Sequence, residues 1–353
     1  MFPSQNIDVL IKDFQKDKAM ALFLGAGTDL SWVYPEGERY DSFRKSADAN
    51  LLNWDNLLTE LTLNACINNK EIRAIKRMSS NSLKAAILKQ KLGDSYIHVI
   101  RNWLYSHCNQ GTLQDSYKYF KKYQEEPTLD NLREVPFGTL YVLAEMILRQ
   151  DSIKAVITQN YNNFLSETIK ILIEEDIKNG SSRYASRQKL KPIDVYDGWM
   201  DYPLDNDTFL IYHVHGYIPP PSEMLPKKES NHIVLSDEEF YQLSKDVFSW
   251  QNVTQINYLS HYTCVLLGLS LEDMTTLRLL RHANIEKSSE RVYWIRGGES
   301  GFKGDKDKIT LRLLSEYYES QHLYVVNDSE GYNDLYHELL EAIKNKSPKS
   351  VNI

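Results

Sequence analysis

Residues 19–27, AMALFLGAG, are the stretch from which the fold can be read. A short apolar run without alternation reads as a strand covered on both faces, the condition of a strand inside a parallel sheet. The Gly-Ala-Gly that closes it supplies a tight turn. Before it, residues 6–16 (NIDVLIKDFQK) place Ile7, Leu10, Ile11 and Phe14 at helical spacing. After it, from about 50 to 150, the chain reads as predominantly helical. NLLTELTLNACI, SLKAAILKQKL, SYIHVIRNWLYSH and GTLYVLAEMILRQ repeat apolar residues at three or four, and the polar stretch QEEPTLDNLREVP interrupts them.

Strand signals then return in IKAVITQN (153–160), TFLIYHVHG (208–216), YTCVLLGLS (262–270), RVYWIRGG (291–298) and HLYVVND (322–328). Helical patterns separate most of them: NNFLSETIKILIEE, DMTTLRLLRHA, KITLRLLSEYYES and YNDLYHELLEAIKN. Strands alternating with helices predict an α/β fold, a mainly parallel sheet with helices on both faces. One domain over 1–353 is expected, with a sheet core at about 19–35 and 151–330. A helical insertion subdomain at about 45–150 and a C-terminal helix at about 331–346 complete it. Residues 179–207 and 217–231 read as long loops, of the kind that line sites.

Composition excludes several classes. The 353 residues are 42% hydrophobic and 25% charged, an ordinary folded protein rather than a disordered or collagen-like one. No apolar run approaches the roughly 20 residues of a membrane helix, and the N-terminus lacks a secretory signal's hydrophobic stretch. A cytoplasmic protein is expected, with no membrane contact. The net charge of -7 disfavours direct nucleic-acid binding, which rests on a basic surface. Cys66, Cys108 and Cys264 are widely separated, so they form neither a zinc ribbon nor a disulfide framework, and each reads as a small buried hydrophobe.

Four motifs stand at predicted strand ends. The turn Gly25-Ala26-Gly27-Thr28, followed by Asp29, lets a backbone approach a pyrophosphate and offer it N–H groups; the same glycines also occur in plain turns. Thr158-Gln159-Asn160-Tyr161 follows the strand KAVI, where an Asn amide can orient a ribose hydroxyl or a water. Equally, the segment is a turn with Asn162 or Asn163 capping the next helix. In His213-Val214-His215-Gly216, strand alternation puts both histidines on one side. They read as metal ligands, though without supporting Cys or Glu spacing, or as one general base at His215 beside a satisfied core histidine at His213. Gly268-Leu269-Ser270-Leu271-Glu272-Asp273 again closes an apolar strand, with Ser270 suited to a ribose or phosphate and Asp273 to a helix cap.

In series, these strand-end motifs resemble the sirtuin family, and more closely the sirtuin-like domains of bacterial antiphage defence proteins. Asn53-Trp54-Asp55-Asn56-Leu57-Leu58 and the helical insertion are similar to that branch, and the resemblance covers about 19 to 330. It implies a Rossmann-like domain that takes NAD⁺ as substrate. Asn160 falls on the family's Asn, which positions the nicotinamide ribose and the reacting water, and His215 on its base. Gly25, Ala26, Gly27 and Thr28 match the pyrophosphate turn, with Asp29 and Gln159 beside the ligand; Gly268 and Ser270 match the adenosine-ribose side. The zinc module of deacetylating sirtuins is missing, so no zinc is expected. Asn162 replaces an acidic residue, Asp29 replaces a Ser, and Asp41-Ser42-Phe43-Arg44 carries an extra residue relative to the family's Asp-Phe-Arg loop.

The function implied is NAD⁺ glycohydrolase activity, cleavage of the nicotinamide–ribose bond to nicotinamide and ADP-ribose, depleting NAD⁺ in antiphage abortive infection. The alternatives are an NAD-dependent protein deacylase, disfavoured by the absent cysteine pairs, an ADP-ribosyl transferase, and a non-catalytic NAD or ADP-ribose sensor, disfavoured by a base at His215. The resemblance also implies a homo-oligomer and a separate activator, such as a HerA-type hexameric ATPase.

Overall fold

The computed structural model describes residues 4–16, 18–29, 54–65, 67–198, 205–227, 233–269, 274–285, 291–296, 313, 323–327 and 337–341. Seven parallel strands form one sheet: β1 (Met20–Leu24), β2 (Ile153–Thr158), β3 (Lys191–Val195), β4 (Thr208–His213), β5 (Thr263–Leu267), β6 (Val292–Arg296) and β7 (Leu323–Asn327). Their order is β3-β4-β2-β1-β5-β6-β7. The α/β reading of the sequence therefore holds. β1 sits between β2 and β5 with every residue buried, which is why its sequence is an unbroken apolar run. Leu22 lies beside Val156 on one side and Val265 on the other, and the β1–β2 register shifts only between Met20 and Ala21.

Because strand side chains alternate, the sheet has two apolar faces. Leu22, Leu24, Val156, Ile211, Val265 and Tyr293 face one core; Ala21, Phe23, Ala155, Ile157, Cys264 and Leu266 face the other. The first core receives α1 (Ser4–Gln15), through Leu10 and Phe14, and a helical block: α2 (Trp54–Asn64), α3 (Asn69–Lys76), α4 (Asn81–Leu92), α5 (Tyr96–His107), α6 (Gln110–Glu125), α7 (Leu129–Arg133) and α8 (Gly138–Arg149). α8 is buried along nearly its whole length and packs on α9 (Phe164–Lys178). The apolar interior of this block runs without a break into the sheet's first face. The second face is covered by α11 (Trp250–His261) and α12 (Met274–Ile285), with α10 (Asp237–Lys245) beside α12.

Two expectations need correction. Residues 179–207 are not simply a loop, since they contain the edge strand β3. Its one-sided burial and its Pro192, Lys191 and Asp194 hide it, because an edge strand needs neither an apolar run nor every backbone N–H. The strand TFLIYHVHG ends at His213, where Gly216 N–H donates to His213 O at 3.1 Å with Gly216 at φ 95°. Strand alternation therefore does not reach His215, and the two histidine rings meet different neighbours.

Candidate functional site

The carboxyl ends of β1, β2, β4 and β5 carry the singled-out motifs. β1 leads to β2 on one side while β5 flanks it on the other. Ligands of open parallel sheets bind at such a reversal of strand order.

After β1, Ala26–Asp29 forms a single 3-10 turn. It presses on the turn after β5. A Cβ at Gly25 would stand 2.5 Å from Gly268 O, and one at Gly268 2.6 Å from Thr28 N, with Gly268 itself at φ +64°. The glycines thus permit two backbone turns to touch. The amides follow from this packing: Gly25 donates to Leu267 O at 2.9 Å, Gly27 to Gly268 O at 3.1 Å and Thr28 to Gly25 O at 3.0 Å. These three N–H groups, offered by the sequence as phosphate ligands, are spent inside the protein, and Ala26 is the exposed residue of the turn. Trp294 of β6 fastens the second turn through Nε1 to Leu269 O at 2.9 Å. Ser270, the Asp29 side chain, Asn53 and Asp41–Arg44 lie outside the described residues.

Asn160 is tied to the same turn. Its Nδ2 donates to Gly25 O and to Thr28 Oγ1, both at 3.2 Å, while Thr28 Oγ1 donates to Gly25 O at 2.8 Å. A carbonyl only accepts, so the amide's NH₂ must face Gly25. Asn160 Oδ1 has no hydrogen-bond partner among the described residues. The backbone is fixed too, by Asn160 N–H to Thr158 Oγ1 at 3.0 Å and Gln159 N–H to Leu24 O at 2.9 Å. Gln159 Nε2 turns away to Thr276 Oγ1 of α12 at 2.9 Å. Asn163 is the N-cap residue of α9 without a side-chain cap bond, its amide standing 3.1 Å from Tyr105 OH, while Oδ1 of the preceding Asn162 accepts Phe164 N–H at 3.1 Å.

His213 and His215 differ in kind. His213 is 1% exposed, with both ring nitrogens engaged: Nδ1 at 2.8 Å from Asn160 O and Nε2 at 2.8 Å from Asp194 Oδ1. His215, in the turn, sets its ring edge-on to Phe240 of α10 at 5.5 Å, and its carbonyl accepts Val234 N–H at 2.9 Å. The segment behind it is held by Ile218 N–H to Tyr161 O and by Tyr161 OH to Val234 O, each at 2.6 Å. Burial pushes the Tyr161 and Tyr217 phenols above their ordinary range, so both stay protonated. Among the described residues, no group of three or more His, Cys, Asp or Glu is placed to hold a metal.

Sequence reasoning missed Asp194, Phe240, Thr276 and the Arg101 and Tyr105 side chains that hold the segment after His215. For α10 a signal existed: Ser236-Asp237-Glu238-Glu239 is a capping box, and the structure forms it. Asp194 left none, being one charge on a half-buried edge strand.

The family model described as a SIR2-like domain matches residues 154–323. The match holds Asn160, His215 and Gly268, while the turn after β1 precedes it. No curated protein matches the chain. A SIR2-like domain indicates an NAD-related function, compatible with an NAD-utilising enzyme. The match runs from the second residue of β2 to the first of β7, and over that stretch the chain is similar to a SIR2-like domain.

Proposed function

We propose that this protein is an NAD⁺ glycohydrolase. The observation that carries the proposal is the tethering of Asn160 to the Gly25–Thr28 turn, its Oδ1 without a partner among the described residues, beside the end of β4 and the turn after it that carries His215. One feature fits NAD⁺: Asn160 Oδ1, which accepts no hydrogen bond among the described residues, is an acceptor for a ribose hydroxyl or a water, next to the two turns whose backbones touch at Gly25, Gly27 and Gly268. Ala26 and the adjoining turn would meet the pyrophosphate, and Gly268 and Ser270 the adenosine ribose.

In the reaction, the bond from ribose C1′ to the nicotinamide nitrogen breaks, its electron pair leaves with neutral nicotinamide, and a water oxygen bonds to C1′. The water's proton must be taken up. Asn160 orients and His215 accepts that proton, directly or through a ribose hydroxyl. Phe240 limits where the His215 ring can point, and the buried turn keeps bulk water from it.

Uncontrolled NAD⁺ consumption would harm the host cell. The proposal therefore includes control by a separate activator, of which a HerA-type hexameric ATPase is one, in a homo-oligomeric, cytoplasmic antiphage system that acts by abortive infection. Chromatographic assay of nicotinamide release, with and without lysate of phage-infected cells, tests it. Release that falls by about a hundredfold or more in both Asn160→Ala and His215→Ala is expected, the size of losing a positioned proton acceptor. Near-normal release in both folded variants would overturn the residue assignment. NAD⁺ binding by titration with no release under any condition would make the protein a sensor instead.

A further inference from the structure

The buried pair of His213 and Asp194 lies off the candidate reaction centre yet touches it through the backbone. Asp194 stands on β3, the strand hidden in the sequence, and its side chain is only 14% exposed. Its Oδ1 meets His213 Nε2 and its Oδ2 accepts from Ser166 Oγ at 2.7 Å. The other ring nitrogen, Nδ1, meets the carbonyl of Asn160. A carbonyl oxygen cannot donate, so Nδ1 must carry the proton.

The geometry points to His213 as a positioning residue for Asn160, set by Asp194, a role that rests on the glycohydrolase reading. Nδ1–H holds the Asn160 carbonyl from the β4 side, while the Asn160 amide holds the Gly25–Thr28 turn from the β1 side. Asn160 is thereby stretched between two strands, and its Oδ1 is the side-chain polar atom with no partner among the described residues. Removing the His213 contact frees the carbonyl to rotate its peptide, which carries the side chain with it. Tyr217, at 4.8 Å between ring centroids, also packs against it and gives the buried imidazole little room to turn.

The test uses the full chain in two readouts. Nitrogen-15 NMR of the histidine rings should show a proton on Nδ1 of His213 in the wild-type protein; an Nδ1 without a proton overturns the proposal without any variant. In His213→Leu, the Asn160 side-chain amide signal should move and kcat should fall by about tenfold or more with little change in KM, the pattern of lost transition-state alignment. His213→Asn, whose Nδ2 can occupy the Nδ1 position, should restore most of both. A folded His213→Leu with an unmoved Asn160 signal, or with wild-type kcat in an active enzyme, overturns the proposal. A moved signal in a protein that releases no nicotinamide supports the positioning role and counts against the glycohydrolase reading alone.

Discussion

Gly268 shows how much one residue decides here. Its φ of +64° disfavours any other residue, and an added Cβ would strike Thr28 N at 2.6 Å. Gly180 has nearly the same φ, +60°, with nothing within 4 Å, so the two glycines separate backbone strain from contact. Gly180→Ala is expected to cost about 1 kcal/mol, the left-handed penalty alone. Gly268→Ala adds a backbone collision and should cost about 2–4 kcal/mol, read from urea unfolding, with nicotinamide release lost. Equal costs for the two would mean that the turns after β1 and β5 do not depend on their close approach. The glycine itself was legible in the sequence. What it approaches was not, because its contact lies in the turn after β1, more than two hundred residues away in the chain.

Among elements, α5 has the closest hold on the segment after His215. One turn of that helix presents Arg101 and Tyr105. The buried Arg101 guanidinium donates to the carbonyls of Pro219, at 2.9 Å, of Pro220 and of Glu223, and Tyr105 OH donates to Ile218 O at 2.8 Å. Among the described residues, no carboxylate shares this guanidinium. A second tie joins α4 to α10, through Lys89 with Glu239 and Ser82 with Asp237, but both ends are partly exposed to water. Buried hydrogen bonds to a charged group outweigh exposed ion pairs. Arg101→Met should therefore destabilise by about 2–3 kcal/mol, and Lys89→Met by no more than about 1 kcal/mol. Amide hydrogen exchange at Ile218 and Glu223, which flank the three prolines, should speed up in the first variant alone; unchanged exchange there would show that the prolines hold their shape unaided. Arg101 and Tyr105 stood in plain view as residues of a predicted helix, yet periodicity says only that they share a face, not what that face meets.

At the scale of the molecule, the helical block and the sheet share one apolar interior. Tyr141 stacks on Phe120 at 4.9 Å within the block, and the same interior continues to Leu22 and Val156 on the sheet. Two regions that bury each other's apolar surface cannot open independently without exposing it. A single calorimetric transition is expected, with coincident urea midpoints by tryptophan fluorescence and circular dichroism; two resolved transitions would contradict the continuous core. Leu22→Ala, in the middle of β1, should lower both probes' midpoints together and cost about 2–5 kcal/mol, the range for a fully buried leucine.

By itself, the sequence determined the strands that are buried on both faces, because burial of that kind forces an apolar run that can be seen in place. It also marked Gly25, Asn160, His215 and Gly268 as strand-end residues of chemical interest, since glycine, amide and imidazole interrupt such runs visibly. Only the tertiary structure decided that β3 closes the sheet, that Asp194 reaches His213, and that His213 grips the Asn160 carbonyl. The physical reason is the range of the information. Periodicity along a chain records how much water each position sees, whereas a hydrogen bond between β3 and β4, or between β4 and the end of β2, depends on where the fold brings two distant backbones.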